Sequence, residues 1–275
     1  MLNQTNVTPI QIKAFHDDGV VVLKNCIADD WVARIAQAID HDIEMPGPFV
    51  HGYASANGAG QFRGNLRTWE TDPTFNEFCH SSPLPKIASQ ILDSNSVRLF
   101  YDQMFVKEPE TSNPTRWHND QPYWPIKGYK ALSFWMSPDP VTSETGALSF
   151  IRGSHKWNKW FQPEKFGPTT AHDAYERNPD YIDMPDIDAN RGDYDIVTWD
   201  LSPGDVYVFH GLTVHGAGGN FSSSIRRRGY TVRYCGDDII YDTRPGTNTN
   251  LRCQVHGHGE PLSEPRFPEV WASPV

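Results

Sequence analysis

The stretch Arg116-Trp117-His118-Asn119-Asp120-Gln121-Pro122-Tyr123-Trp124 places an imidazole and a carboxylate two residues apart. On a β-strand such residues leave the same face, so His118 and Asp120 can hold one ion together. A His-x-Asp pair taken alone carries little weight, because most are neighbours on a solvated surface. This one is bracketed by three large aromatic residues and followed by Pro122, in a region that otherwise alternates like strand, and that setting favours a dry pocket. The pair then needs a third ligand from further along the chain. Two histidines qualify in Phe209-His210-Gly211-Leu212-Thr213-Val214-His215-Gly216. His210 closes a regular strand, whereas His215 runs into Gly216-Ala217-Gly218-Gly219, where missing side chains leave room for a bound molecule beside an ion. His215 is therefore the preferred ligand.

Two imidazoles and one carboxylate cover one face of an octahedral ion and leave three positions open, an arrangement suited to Fe(II). Zinc hydrolases also use two histidines and an acid, but from a His-Glu-x-x-His helix that this chain lacks. Its four cysteines, Cys26, Cys79, Cys235 and Cys253, form no C-x-x-C spacing, which excludes a zinc knuckle and a dense disulfide framework. A reduced, cytoplasmic chain is the simpler expectation. With 24 basic against 34 acidic residues, net charge −10, it lacks the positive field that a nucleic-acid partner requires. No run of 18 apolar residues predicts a membrane span, and residues 1–20 lack a signal-peptide pattern.

The 275 residues fit one large domain, helical over about 8–95 and β-rich over about 97–236. Thr8-Pro9-Ile10-Gln11 reads as a capping box opening a short helix to about Asp17. Val20-Val21-Val22-Leu23 reads as strand, and Asp29 is expected to cap a second helix from Asp30 to about Ile43. Residues 46–64, rich in Gly and Pro, read as a long binding loop. Asp72 to Leu92 reads as helix with a break at Ser81-Ser82-Pro83. From Val97 the pattern turns to strands, with Tyr101, Gln103 and Phe105 on one face and Asp102, Met104 and Val106 on the other. Further strands are expected at 131–136, 146–151, 206–210 and 227–234. The insert 156–198 carries nine acids against five bases and reads as a second cover. No regular structure is assigned beyond Asp237. Many strands without βαβ alternation predict an antiparallel sandwich or barrel under an N-terminal helical layer.

Taken in order, the run from His118 to Trp124, Gly146-Ala147-Leu148 with Gly153-Ser154-His155, Pro203-Gly204-Asp205 and the His-Gly-x-Gly-x-Asn of His215 to Asn220 followed by arginines resemble the phytanoyl-CoA dioxygenase family of Fe(II)/2-oxoglutarate oxygenases. The likeness spans about residues 8–236. It implies a double-stranded β-helix, the jelly-roll shared with cupins, with Fe(II), 2-oxoglutarate and O2 at one open end. It further implies that His118, Asp120 and His215 bind the iron and that one of Arg226-Arg227-Arg228 anchors the far carboxylate of 2-oxoglutarate. Counting from His215 favours Arg226. Alignment of the strand ending at Tyr234 favours Arg227, with Gly229 and Thr231 on the same inward face, and Arg227 is chosen. Gln103 and Trp135 match positions lining the 2-oxoglutarate site in the family, and Arg67 is a weaker match.

The activity so implied is hydroxylation of an unactivated C–H with release of succinate and CO2. The presence of Asp120 separates the chain from related halogenases, which put chloride in place of that carboxylate. An acyl-CoA brings several phosphate charges, and no basic cluster lies outside the three arginines, so a small neutral or amine-bearing metabolite is the expected substrate. A 2-oxoglutarate-independent cupin-like metalloenzyme and a non-catalytic jelly-roll binding protein are the competing readings. His155, His256 and His258 are expected to stay off the metal, with the last two solvated.

Overall fold

Helix α1 (Pro9–Asp18) opens at the expected capping box: the Gln11 amide donates to Thr8 Oγ1, and the Thr8 amide donates to Gln11 Oε1. The structure is a computed structural model that describes residues 6–55, 60–164 and 175–273. After Gly19, left-handed at φ 77°, comes β1 (Val20–Leu23). Helix α2 (Asp29–Glu44) begins one residue earlier than expected. Its N-cap is Ala28, which makes no side-chain cap, and Asp29 and Asp30 instead sit in the first turn, where carboxylates face the positive end of the helix dipole.

The expected 46–64 loop is in part a strand pair, β2 (His51–Ala54) and β3 (Gln61–Leu66), with residues 56–59 outside the described ones. Glycine content suits close strand approach as well as it suits a loop, which is why composition misread the segment. Helices α3 (Pro73–Ser81) and α4 (Leu84–Leu92) follow, broken where Ser82 and Pro83 predicted, with the Asp72 carboxylate accepting from the Thr74 and Phe75 amides.

The remaining strands are β4 (Ser96–Lys107), β5 (Thr115–His118), β6 (Ile126–Lys127), β7 (Ala131–Met136), β8 (Leu148–Ile151), β9 (Ile196–Thr198), β10 (Val206–His210), β11 (His215–Ala217), β12 (Arg227–Cys235), β13 (Ile240–Tyr241) and β14 (Glu269–Ala272). Among the described residues they form an eight-stranded sheet in the order β1-β10-β7-β12-β4-β3-β2, with β14 also on β4, and a four-stranded sheet β5-β11-β8-β9. The pairings are antiparallel, and the two sheets do not close on each other. The architecture is the mainly β, double-stranded β-helix type with helices at the N-terminus.

Period-two alternation sorts the large sheet. Met104, Val106, Phe134, Met136, Val206, Val208 and Val232 bury against helices α1 to α4. Burying each such side chain contributes about 1.5–3 kcal/mol. Their neighbours Trp135, Tyr207 and Phe209 face the small sheet and pack on Leu148 and Phe150.

Residues 238–273 carry the short strands β13 and β14 and a buried apolar set, where composition predicted no regular structure. Ile239, Tyr241, Leu251, Leu262 and Phe267 are buried against Phe100, Tyr101 and Trp124, and β13 pairs with β6. Apolar anchors spaced too irregularly for either strand or helix periodicity gave no sequence signal. The insert likewise ends earlier than expected, because β9 belongs to the small sheet, and residues 165–174 lie outside the described ones. Among the described residues no helix is long and apolar enough to cross a membrane.

Candidate metal centre and its chamber

His118 ends β5 and His215 begins β11, directly opposite each other in the strand pairing. Their ring centroids are 4.2 Å apart. Asp120 lies beyond the strand, at φ −72° and ψ −42°, where it opens a 3-10 turn over Gln121–Tyr123. The pair therefore converges through a turn, not through strand alternation. Asp120 Oδ1 sits 3.4 Å from His118 Nε2. One donor atom from each of His118, Asp120 and His215 lies within 4.8 Å of the other two. Among the described residues this is the one group of three or more His, Cys, Asp or Glu side chains so placed.

The main chain sets the tautomers. His118 Nδ1 lies 2.8 Å from the Arg116 carbonyl and His215 Nδ1 lies 3.0 Å from the Thr213 carbonyl. A carbonyl only accepts, so both rings carry their proton on Nδ1 and present an unprotonated Nε2, the form that binds a metal. Burial, reinforced by His118, pushes the His215 imidazole down to about 3, which keeps it neutral. Burial pushes the Asp120 carboxyl up, but the nearby charges, the Arg233 guanidinium first, outweigh it and hold the group below the usual carboxylate range. Asp120 Oδ2 accepts from Ser133 Oγ at 3.1 Å and lies 3.5 Å from Arg233 Nε.

These donors pass the test for Fe(II): two unprotonated imidazole nitrogens and one ionised carboxylate, buried and preset by hydrogen bonds. His210 does not join them. Its Nε2 lies 2.7 Å from the Tyr129 carbonyl and its Nδ1 accepts from the Leu212 amide, so both nitrogens serve the local turn. Burial pushes this imidazole down to about 3, below its ordinary value near 6.5. Between those limits the unfolded chain binds the extra proton, so the contribution of His210 to stability is full above pH 6.5 and is lost as pH falls toward 3. His210→Gln is therefore expected to flatten the fall of melting temperature between pH 7 and pH 5 while leaving Mn(II) affinity within about threefold, both read by differential scanning calorimetry and titration.

The three residues open onto a chamber of about 810 Å³. Its floor is the inward face of the large sheet. Thr231 of β12 stands between Gln103 of β4 and Trp135 of β7 in one rung, and all three line the chamber. Arg227, two rungs away on the same face, is 2% exposed, with its guanidinium 5.5 Å from the Trp135 ring. Burial pushes it down to about 10, so it stays a cation at neutral pH, yet its Nε has no acceptor among the described residues. Arg226 turns outward to Glu108 and Asp40, and Arg228 turns to Asp139 and Asp40. Of the three arginines, Arg227 is the one that alternation aims inward.

Gly229 makes room for it. A Cβ there would stand 2.6 Å from the buried Trp135 ring and 2.8 Å from Arg227 Nη1. Gly229→Ala is expected to displace the guanidinium and raise the Kd for 2-oxoglutarate at least about tenfold, roughly 1.4 kcal/mol, with Mn(II) affinity retained, as read by calorimetric titration.

Arg67 lies off the chamber. It pairs with Glu70, stacks on Phe49 at 4.5 Å and donates to the Asn250 carbonyl, stapling two parts of the rim. His155 binds the His16 carbonyl of α1 and is not among the clustered metal donors. His256 is buried on Ser263 and Cys253, contrary to the expectation of solvent, while His258 is exposed beside Asp242.

Three features of the site escaped the sequence reading. Arg233 lines the chamber beside Asp120, and counting by twos from Arg227 through Gly229 and Thr231 leads to it. Lys107, opposite Arg227 in register, is 1% exposed and donates to the Gly218 carbonyl at 2.5 Å. Residues 248–251 of the tail form part of the wall. They are held by the Asn248 amide donating to the Tyr123 carbonyl, while Arg244 donates to the carbonyls of Gln121 and Trp124.

The family model described as phytanoyl-CoA dioxygenase (PhyH) matches residues 15–228. The chain is 27% identical over 227 residues to the multifunctional dioxygenase prhA of Penicillium brasilianum, covering 78% of this chain and 68% of that one. Among solved structures it is similar to the non-heme alpha ketoglutarate dependent carbocyclase SnoK from nogalamycin biosynthesis, with a TM-score of 0.77 at 22% identity over 96% of this chain and 97% of that chain. It is also similar to the epimerase SnoN in complex with Fe3+, alpha ketoglutarate and nogalamycin RO, with a TM-score of 0.74 at 22% identity over 95% and 98% of the two chains. At these identities the structural likeness carries the fold.

Proposed function

We infer that this chain, which belongs to the phytanoyl-CoA dioxygenase family, is an Fe(II)/2-oxoglutarate-dependent dioxygenase that hydroxylates an unactivated C–H of a small organic molecule. One observation carries the reading: a buried set of two imidazoles and a carboxylate opens onto the same chamber as a buried arginine that lacks an acceptor on its Nε. His118, Asp120 and His215 hold the metal, and Arg227 takes the far carboxylate of 2-oxoglutarate, with Gln103, Trp135 and Thr231 lining its path. Bound iron and 2-oxoglutarate supply the oxidising power, with O2 consumed and succinate and CO2 released.

The protein's own part is to bind, orient and exclude water. Ser133 and Arg233 occupy Asp120 Oδ2, so Oδ1 is the oxygen left for the metal. The Arg116 and Thr213 carbonyls fix the imidazole tautomers. Tyr101, Tyr123, Trp124, Tyr175 and Leu251 line the outer chamber with ring and aliphatic surface that suits an apolar substrate body. Among the described residues the lining carries no lysine that would give an acyl-CoA's phosphates a basic mouth. Asp120 is the one carboxylate lining the chamber among the described residues, so of the two substrate types expected from sequence an amine finds no counter-charge.

Succinate formation tests the reading. Fe(II)-loaded protein given 2-oxoglutarate and a metabolite library should consume oxygen and release succinate only when a substrate is present. Oxygen uptake without succinate would instead support a 2-oxoglutarate-independent metalloenzyme on this scaffold, and neither would support a binding protein.

A further inference from the structure

Three charged side chains line the chamber among the described residues: Asp120, Arg227 and Arg233. On the functional reading above, on which this inference rests, Fe(II) and the 2-oxoglutarate dianion cancel each other's charge. Asp120 offsets one guanidinium, and one positive charge remains. Lys107, buried beside Arg227, adds no negative charge to the balance. An uncompensated buried charge is costly, so the missing anion has to come with the remaining ligand.

On that reading Asp120 faces the metal and the far carboxylate of 2-oxoglutarate faces Arg227, so the remaining charge stands on Arg233, 3.5 Å from Asp120. It is 4% exposed and lies between Asp120, at 3.5 Å, and the rings of Tyr101 and Trp124, at 4.4 and 5.8 Å. Its Nε and Nη1 have no hydrogen-bond acceptor among the described residues. Ser133 already supplies Asp120 Oδ2 with a donor, so Arg233 is not needed to satisfy that oxygen. The residue also sits at the boundary between the metal ligands and the ring-lined outer chamber, where the reacting end of a substrate has to lie. Arg227 is six residues away along β12 and, on this reading, is engaged with 2-oxoglutarate.

We propose that Arg233 is a specificity-determining residue that receives an anionic oxygen, a carboxylate or an ionised enol or phenol, on an otherwise apolar, ring-bearing substrate. The guanidinium holds that group beside the metal while Tyr101, Trp124 and Leu251 contact the body.

A matched series on one ring system tests this: naphthoate, naphthylmethanol and naphthylmethylamine, titrated calorimetrically into protein loaded with Mn(II) and 2-oxoglutarate. Naphthoate is expected to bind at least about tenfold more tightly than either partner probe, as a charge-assisted contact in a dry site would give. Arg233→Gln should erase that preference and Arg233→Lys should keep part of it. Equal or tighter binding of the alcohol or the amine to the wild-type protein overturns the proposal, as does a carboxylate preference that survives Arg233→Gln. If Arg233→Gln does not fold, the wild-type ratio and Arg233→Lys still decide. Binding of 2-oxoglutarate is measured first in the same cell. Its absence in the wild-type protein sinks the functional reading, and the probe series on the Mn(II) form then decides the role of Arg233 separately.

Discussion

Asp120→Ala is expected to remove substrate-triggered succinate formation by at least about 10³-fold, equivalent to roughly 4 kcal/mol of lost transition-state stabilisation. The substitution takes away the one anionic donor of the set and leaves two neutral imidazoles to hold a divalent cation. Mn(II) titration should therefore show the loss directly, without any turnover. A second effect runs in parallel, because the same carboxylate is the partner of Arg233, and stripping a buried cation of its counter-charge costs about 3–5 kcal/mol of stability. A fall in activity would then be ambiguous by itself. Asp120→Asn resolves it: the amide keeps the volume and the Ser133 contact while lowering donor strength. If Asp120→Asn melts near the wild-type temperature yet binds Mn(II) poorly, the carboxylate is a metal ligand. Wild-type metal affinity in a folded Asp120→Ala protein would dismiss the metal centre and the proposed activity with it.

How much of this could be read from the chain follows from which residues obey a period. Arg227, Gly229 and Thr231 lie on a nine-residue strand, β12, so the strand alignment that favours Arg227 agrees with two-residue alternation, which puts the three on one face. The same count extended by two more residues reaches Arg233. Asp120 was found for a partly mistaken reason, since its position depends on a 3-10 turn whose geometry no alternation encodes. His215 over His210 came from the glycines that follow it, and the structure gives a separate cause, the use of both His210 nitrogens by the main chain. The rim was least legible. The hairpin β2–β3 hides behind a loop-like composition. Residues 248–251 are held by Arg67 donating to the Asn250 carbonyl and by the Asn248 amide donating to the Tyr123 carbonyl, contacts across more than a hundred residues that no local pattern announces. Sheet interiors follow a repeat, whereas a substrate wall is assembled from whatever segments reach it.

Arg227→Met should raise the Kd for 2-oxoglutarate by roughly 30- to 5,000-fold, the cost of about 2–5 kcal/mol for removing one partner of a buried charge-assisted pair. Methionine fills the volume beside Trp135 and Gly229, so the chamber keeps its shape and the effect reports charge and hydrogen bonds, not collapse. Arg226→Met is the matched control. Arg226 faces outward to Glu108 and Asp40 with its side chain 41% exposed, and surface pairs of that kind contribute about 0–1 kcal/mol, so 2-oxoglutarate affinity should change by less than about threefold. Arg227→Lys should fall between, because an ammonium supplies the charge without the planar fork that engages both oxygens of a carboxylate. The place of Arg226→Met below both Arg227 variants in Kd follows from alternation on β12, and the order of Arg227→Lys before Arg227→Met from charge and fork geometry. Equal losses at positions 226 and 227 would mean that the anchor is not set by strand face, and a larger loss at 226 would move it to the residue that spacing from His215 favours.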